Sequence, residues 1–194
     1  MDYTNITDES LSNMAKGDNG ENMGGFGIIA YLGLRSQIAG YPIPADPAAA
    51  TTVEGLCKLN GAFSFIQGKH FLKIELSPES MFANPVSQGG GPGSNSFNNA
   101  GGFTINGNKE KQRGMARIMN NNFGVLIIPQ EDGSRLVFGD ELRPLQFTAI
   151  KGDSGKTAKD PKKFDYEFKT DSFTPGYSYD GPIELDGVTI PALS

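Results

Sequence analysis

The sequence has one cysteine, one histidine and no tryptophan. A lone Cys57 excludes an internal disulfide, and a lone His70 excludes a zinc site built on histidine and cysteine ligands. Basic residues are also short: 17 Lys and Arg stand against 22 Asp and Glu, a formal charge of -5. That balance speaks against a basic face for nucleic-acid phosphates. Long apolar runs are missing too. The longest, residues 26–34, is broken by glycine and too short for a bilayer-spanning helix. The opening Met-Asp-Tyr-Thr-Asn lacks the basic and apolar regions of a secretory signal, so synthesis in a reducing cytoplasm is expected, with no membrane anchor. In that setting the acceptor triplet Asn5-Ile6-Thr7 reads as chance.

Turn formers and aromatics are plentiful, with 26 Gly, 12 Pro, 13 Phe and 6 Tyr in 194 residues. Glycine and proline divide the chain into short segments, and the aromatics suit a β core. The clearest strand is 163–169, where Phe164, Tyr166 and Phe168 alternate with Lys163, Asp165, Glu167 and Lys169. Residues 123–129 form an apolar strand, turned through Gln130-Glu131-Asp132-Gly133-Ser134 into a return strand at 135–138. Residues 26–34 read as a buried strand, 103–105 and 145–150 as further strands, and 183–185 as the last. Residues 59–65 and 69–76 are expected to form a hairpin around Gln67-Gly68. On its second arm Leu72, Ile74 and Leu76 face one way, and Lys73 and Glu75 the other. One amphipathic helix is expected at 109–119, capped by Asn108, with Met115, Ile118 and Met119 on one face and Asn120-Asn121-Asn122 ending it.

The rest reads as connection. Residues 1–23 form a polar arm, residues 40–50 a proline-stiffened loop, and residues 77–102 one long loop rich in glycine and asparagine. The expected fold is mainly β: a single β-sandwich or barrel domain over 24–194, with one flanking helix and an extended N-terminal arm.

Motifs with chemical overtones fail on context. Gly155-Lys156-Thr157 resembles the end of a phosphate-binding loop, but the first glycine of that pattern would fall on Ile150. Gly25-Phe26-Gly27-Ile28-Ile29-Ala30 lacks a preceding strand. Asp132-Gly133 and Asp180-Gly181 are turn dipeptides. Cys57 reads as a small buried hydrophobe and His70 as a surface or interface side chain. The charges of 151–163 largely cancel. No nucleophile–base pair emerges, so the expectation is a protein without catalytic residues, cofactor or metal.

The order of features is similar to that of phage tail tube proteins, the major tail proteins of long-tailed phages. The parts that carry the likeness are Gly61-Ala62-Phe63-Ser64-Phe65 with Phe71-Leu72-Lys73-Ile74, and the glycine-rich stretch ending Gly93-Ser94-Asn95-Ser96-Phe97. The helix before Phe123-Gly124-Val125-Leu126-Ile127 adds to it, as do the segments 131–140 and Tyr179-Asp180-Gly181-Pro182-Ile183. The opening heptapeptide also resembles virion proteins of phages that infect Bacteroidetes hosts. The resemblance spans about residues 55–185. It implies hexameric rings of this chain, stacked into a tube in the virion and joined to other tail proteins, with DNA passing through unbound. A neck or tail-terminator ring is a near variant, and a soluble β-sandwich binding module, for instance for carbohydrate, is the alternative. On the tube reading, Glu75, Asp165 and Glu167, with Lys73, Lys163 and Lys169 on the same faces, are the candidates for the lumen wall. Tyr3, Ile6, Leu11 and Met14 in the arm, and Phe82, Val86 and Phe97 in the long loop, are the candidates for contact between subunits.

Overall fold

Phe123–Pro129 lies at the centre of the molecule because both of its faces are apolar. Val125 and Ile127 enter one core, Leu126 and Ile128 the other, and all four are fully buried. The computed structural model describes residues 26–89, 95–155 and 160–193. In chain order these form β1 (Ile29–Leu34), β2 (Ile38–Gly40), β3 (Ile43–Pro44), β4 (Leu59–Asn60), β5 (Ser64–Phe65), β6 (Leu72–Glu75), β7 (Phe82–Gln88) and β8 (Ser96–Asn106). There follow α1 (Glu110–Asn120), β9 (Phe123–Pro129), β10 (Arg135–Phe138), β11 (Leu145–Asp153), β12 (Lys163–Ser172), β13 (Tyr177–Ser178), β14 (Ile183–Leu185) and β15 (Val188–Ile190).

All strand pairs are antiparallel. On one edge of β9 runs β1, with β6 beyond it. On the other edge β10 and β11 follow one another end to end. From β11 the sheet continues through β12 and β8 to the edge strand β7. Ala30, Leu32 and Ile74 from one wing meet Phe103, Phe147, Tyr166 and Phe168 from the other in a single core. The sheet must therefore fold over, and the result is a β-sandwich with α1 at its flank. Among the described residues one backbone bond joins the β6 end to β8, from the Ser77 N–H to the Thr104 carbonyl at 2.8 Å.

The outer face of the β1–β9–β10 wing is covered by three small strand pairs, β2–β5, β3–β4 and β14–β15. Beneath them Phe63 meets Phe71 and Tyr179 edge to face, with ring centroids 5.4 and 5.2 Å apart. Arg135 ties this layer down. Its guanidinium is buried and donates to the carbonyls of Gly181 at 2.7 Å and Pro191 at 3.0 Å.

Several expectations need correction. Residues 77–102 are not one loop, because 82–88 and 96–102 form most of a β7–β8 hairpin. Its glycines serve close packing: a Cβ on Gly101 would lie 2.5 Å from the Phe168 ring, and one on Gly102 2.9 Å from the Phe82 ring. Pro85 is tolerated because β7 is an edge strand. The turn at Gln67-Gly68 forms, with Gly68 at φ 74° and the Lys69 N–H bonded to the Ile66 carbonyl. Its arms, however, pair elsewhere: β4 with β3, β5 with β2, and β6 with β1. The 40–50 loop thus contains a short edge strand. Residues 151–153 and 163 belong to the β11–β12 ladder, not to a solvated loop.

The helix starts one residue later than expected. Lys109 is its N-cap residue, its N–H donating to Gln112 Oε1 at 3.2 Å, and Asn108 Oδ1 is buried without a partner among the described residues. Met119 is buried and Met115 half-buried, but Ile118 faces solvent at 40% exposure. The helix ends not on a left-handed residue but on the side chain of Asn122, whose Nδ2 donates to the Ile118 carbonyl at 2.8 Å. The expected last strand, 183–185, has a partner in β15 through Asp186-Gly187, with Gly187 at φ 70°.

Candidate interaction surface

The outer face of the other wing, β11–β12–β8–β7, has no layer over it among the described residues. Strand alternation sets its chemistry. Phe164, Tyr166 and Phe168 point into the core, so Lys163, Asp165, Glu167, Lys169 and Asp171 point out. Registered neighbours share a face. Glu167 stands opposite Gly102 and Gly102 opposite Phe82; Asp171 stands opposite Asn98 and Asn98 opposite Val86. Phe82 and Val86 therefore join the charged stripe, 48% and 56% exposed. Phe97, opposite Ser172, is half-buried on the other face.

The charges interlock. Lys151 Nζ lies 2.7 Å from Glu167 Oε1, and Lys163 Nζ 3.1 Å from Asp165 Oδ2. Asn98 donates to Asp171 at 2.8 Å, and Thr104 Oγ1 donates to Asp165 at 2.6 Å. Partial burial pushes the Asp165 carboxyl upward. The bonds from Thr104 and Lys163, with the charges of Lys163 and Lys151, outweigh that push and hold it below its usual value. The Lys151 ammonium is held above its usual value by its bond to Glu167. Tyr166, beneath the stripe, is pushed up to about 12 by burial.

A depressed folded-state value gives Asp165 a definite pH signature. Its stabilising contribution is complete above the unfolded value near pH 4 and disappears as pH falls through the lower folded value. In urea titrations, Asp165→Asn should lower the midpoint at neutral pH and flatten the loss of stability below about pH 4. A variant with the wild-type acid slope would show that the carboxylate is not held by these partners.

The six charged lumen candidates do not share one surface. Asp165, Glu167, Lys163 and Lys169 lie on the β12 stripe. Lys73 and Glu75, 3.6 Å apart, lie on β6 in register with Tyr31 and Ile29 of the covered wing. Tyr3, Ile6, Leu11 and Met14 lie outside the described residues, as do Lys156 and Thr157. Proximity of Phe82 and Val86 to the stripe is not readable from the sequence, because Asn84, Pro85 and Ser87 give β7 the composition of a loop.

Cys57 is only half-buried, with burial pushing its thiol up, and it lines a cavity of about 530 Å³ with Arg143 and Phe173. The Arg143 guanidinium sits 3.8 Å from the Phe173 ring centroid. Among the described residues no cluster of three or more His, Cys, Asp or Glu is placed to hold a metal ion. No helix among them is long and apolar enough to cross a membrane.

Fold and surface together define an antiparallel β-sandwich with one covered wing and one open wing. Compared with protein-family models and with curated proteins, the chain matches none.

Proposed function

We propose that the chain is a non-enzymatic structural subunit that assembles with copies of itself into the rings of a phage tail tube. A neck ring of the same virion is the near variant. The observation that carries this reading is the open wing. Its last strand, β7, is a seven-residue sheet edge with no partner on its outer side among the described residues, and Phe82 and Val86 stand exposed beside it. A long unpartnered edge is a template for another chain, and ring closure removes such edges. The adjoining stripe carries four acids (Asp153, Asp165, Glu167, Asp171) and three lysines (Lys151, Lys163, Lys169). A wall whose cations are matched and slightly outnumbered by acids repels phosphates and suits a channel that DNA traverses without binding.

Negative-stain microscopy of the purified chain tests the reading. Rings or tubes are expected from the wild type, and single subunits from Phe82→Asp/Val86→Lys, whose folded core should be untouched. A wild-type sample of monodisperse monomers overturns the proposal. That result would favour a β-sandwich binding module, for which the Arg143–Phe173 cavity offers an aromatic ring, 59% exposed, beside a fixed cation.

A further inference from the structure

The cavity of about 530 Å³ that holds Arg143 lies where the small strand pairs meet two turns of the main sheet. One turn, 139–144, joins β10 to β11, and the other, 173–176, joins β12 to β13. Pro44, Pro47, Leu56, Phe173 and Pro175 give the cavity apolar walls, and Cys57 lies among them. Arg143 is the one cation among its lining residues and Asp46 the one acid, with Asp46 Oδ1 accepting from the Ala48 N–H at 3.0 Å. A mostly apolar cavity of this size with a few fixed polar groups has the character of a small-molecule site.

Arg143 is fixed before any ligand arrives. Its N–H donates to Asp140 Oδ1 at 2.6 Å, and its carbonyl accepts from Thr170 Oγ1 at 2.9 Å. The guanidinium lies over the Phe173 ring, and its Nε faces Asp140 Oδ2 at 3.6 Å. The turn that carries Phe173 is itself tied down. Asn99, 1% exposed, donates from Nδ2 to the Thr174 carbonyl at 3.1 Å, and Thr174 Oγ1 donates to the Gly176 carbonyl at 3.0 Å. With Asp140 on the Nε side, the fork of the two terminal nitrogens is left over. Among the described residues it donates to no protein acceptor, and the side chain is 28% exposed. A planar fork held still in an apolar cavity matches a carboxylate, which accepts two parallel bonds from it.

We propose that this cavity binds a small organic carboxylate with a flat apolar body, the carboxylate on the Arg143 fork and the body against Phe173 and the proline walls. Charge selects a monoanion. One guanidinium, with Asp140 beside it and Asp46 also lining the cavity, compensates one negative charge and leaves a second opposed. The walls select the body. The side chains of Pro44, Pro47, Leu56 and Pro175 make no hydrogen bonds, so a polyhydroxylated ligand would lose water there without replacement. The site is built from one subunit and does not depend on assembly into rings.

Naphthalene-2-carboxylate is a suitable probe, and Cys57, the one cysteine of the chain, is the reporter. On the full chain at mildly alkaline pH, the acid should slow alkylation of Cys57 by iodoacetamide in a saturable way. It should also shift the amide resonances of Arg143, Phe173 and Thr174. The neutral isostere 2-naphthamide should bind about ten-fold or more weakly, as should the acid to Arg143→Gln. Arg143→Lys keeps the charge without the fork and should fall between wild type and Arg143→Gln. It also carries the test if Arg143→Gln melts early. Absence of saturable protection by the acid overturns the site. Equal affinity for acid and amide, or wild-type affinity in Arg143→Lys, overturns the fork. Inorganic phosphate protecting Cys57 as tightly as the acid overturns the apolar body and leaves a general anion site.

Discussion

Replacing Met119 by aspartate is expected to remove about 4 kcal/mol or more of stability. Met119 is 1% exposed and packs among the apolar side chains of the core shared by both wings. A carboxylate there must either lose its hydration or protonate, and both are costly. Its neighbour Ile118 provides the internal control. It faces solvent, so Ile118→Asp should change stability by less than about 0.5 kcal/mol. Chemical denaturation of the two variants gives the contrast directly. A small effect at Met119 would mean that α1 does not pack on the sandwich.

The contrast also marks how far the sequence reaches. Spacing located the helix, and placed Met115, Ile118 and Met119 together on its apolar side. Only the sheet decides which part of that side is covered, and it covers Met119 and half of Met115. Strands β9, β10 and β12 were legible because a local pattern dictates them, an apolar run or an alternation. The sandwich with one flanking helix followed from the same signals. Strand partners were not legible, since nothing local in 59–76 says that its arms pair with β1, β2 and β3. Nor was β7, where Asn84, Pro85 and Ser87 carry loop chemistry and the partner strand alone supplies order. The candidate surface was half visible. The charges of β12 announced a polar face, but Phe82 and Val86 join it only through the register of β7 on β8.

The second large effect is expected at Arg135. Arg135→Ala would leave the Gly181 and Pro191 carbonyls without their charged donor in a buried setting, at an expected cost of about 2–4 kcal/mol. Arg135→Lys should recover only part of it, because one ammonium cannot reproduce a planar fork that reaches two carbonyls in different directions. The loss should be uneven. Hydrogen exchange should speed up first at β14 and β15, and next at Phe71, whose N–H is bonded to the Glu184 carbonyl at 2.9 Å. Uniform acceleration across the sandwich would show that the C-terminal hairpin is not a separately anchored layer.

The position of β9 also governs how the chain reaches its fold. Its partner β1 is made about a hundred residues earlier, while β10 and β11 emerge only after it. During synthesis the Val125-Leu126-Ile127-Ile128 run, the most apolar strand core in the molecule, must wait for flanks on both edges. Pairing over such separation is slow, because loop closure comes before any gain from contact. Until then the run meets the description of an aggregation-prone segment: β-favouring, uncharged and apolar on both faces. Gly124 and Pro129 bracket it, the places where a gatekeeping residue blunts intermolecular stacking without disturbing the native core. Recovery of soluble protein should therefore depend on growth temperature more steeply than native stability does, and substitutions at Pro129 should reveal themselves in inclusion bodies before they register in a melting curve.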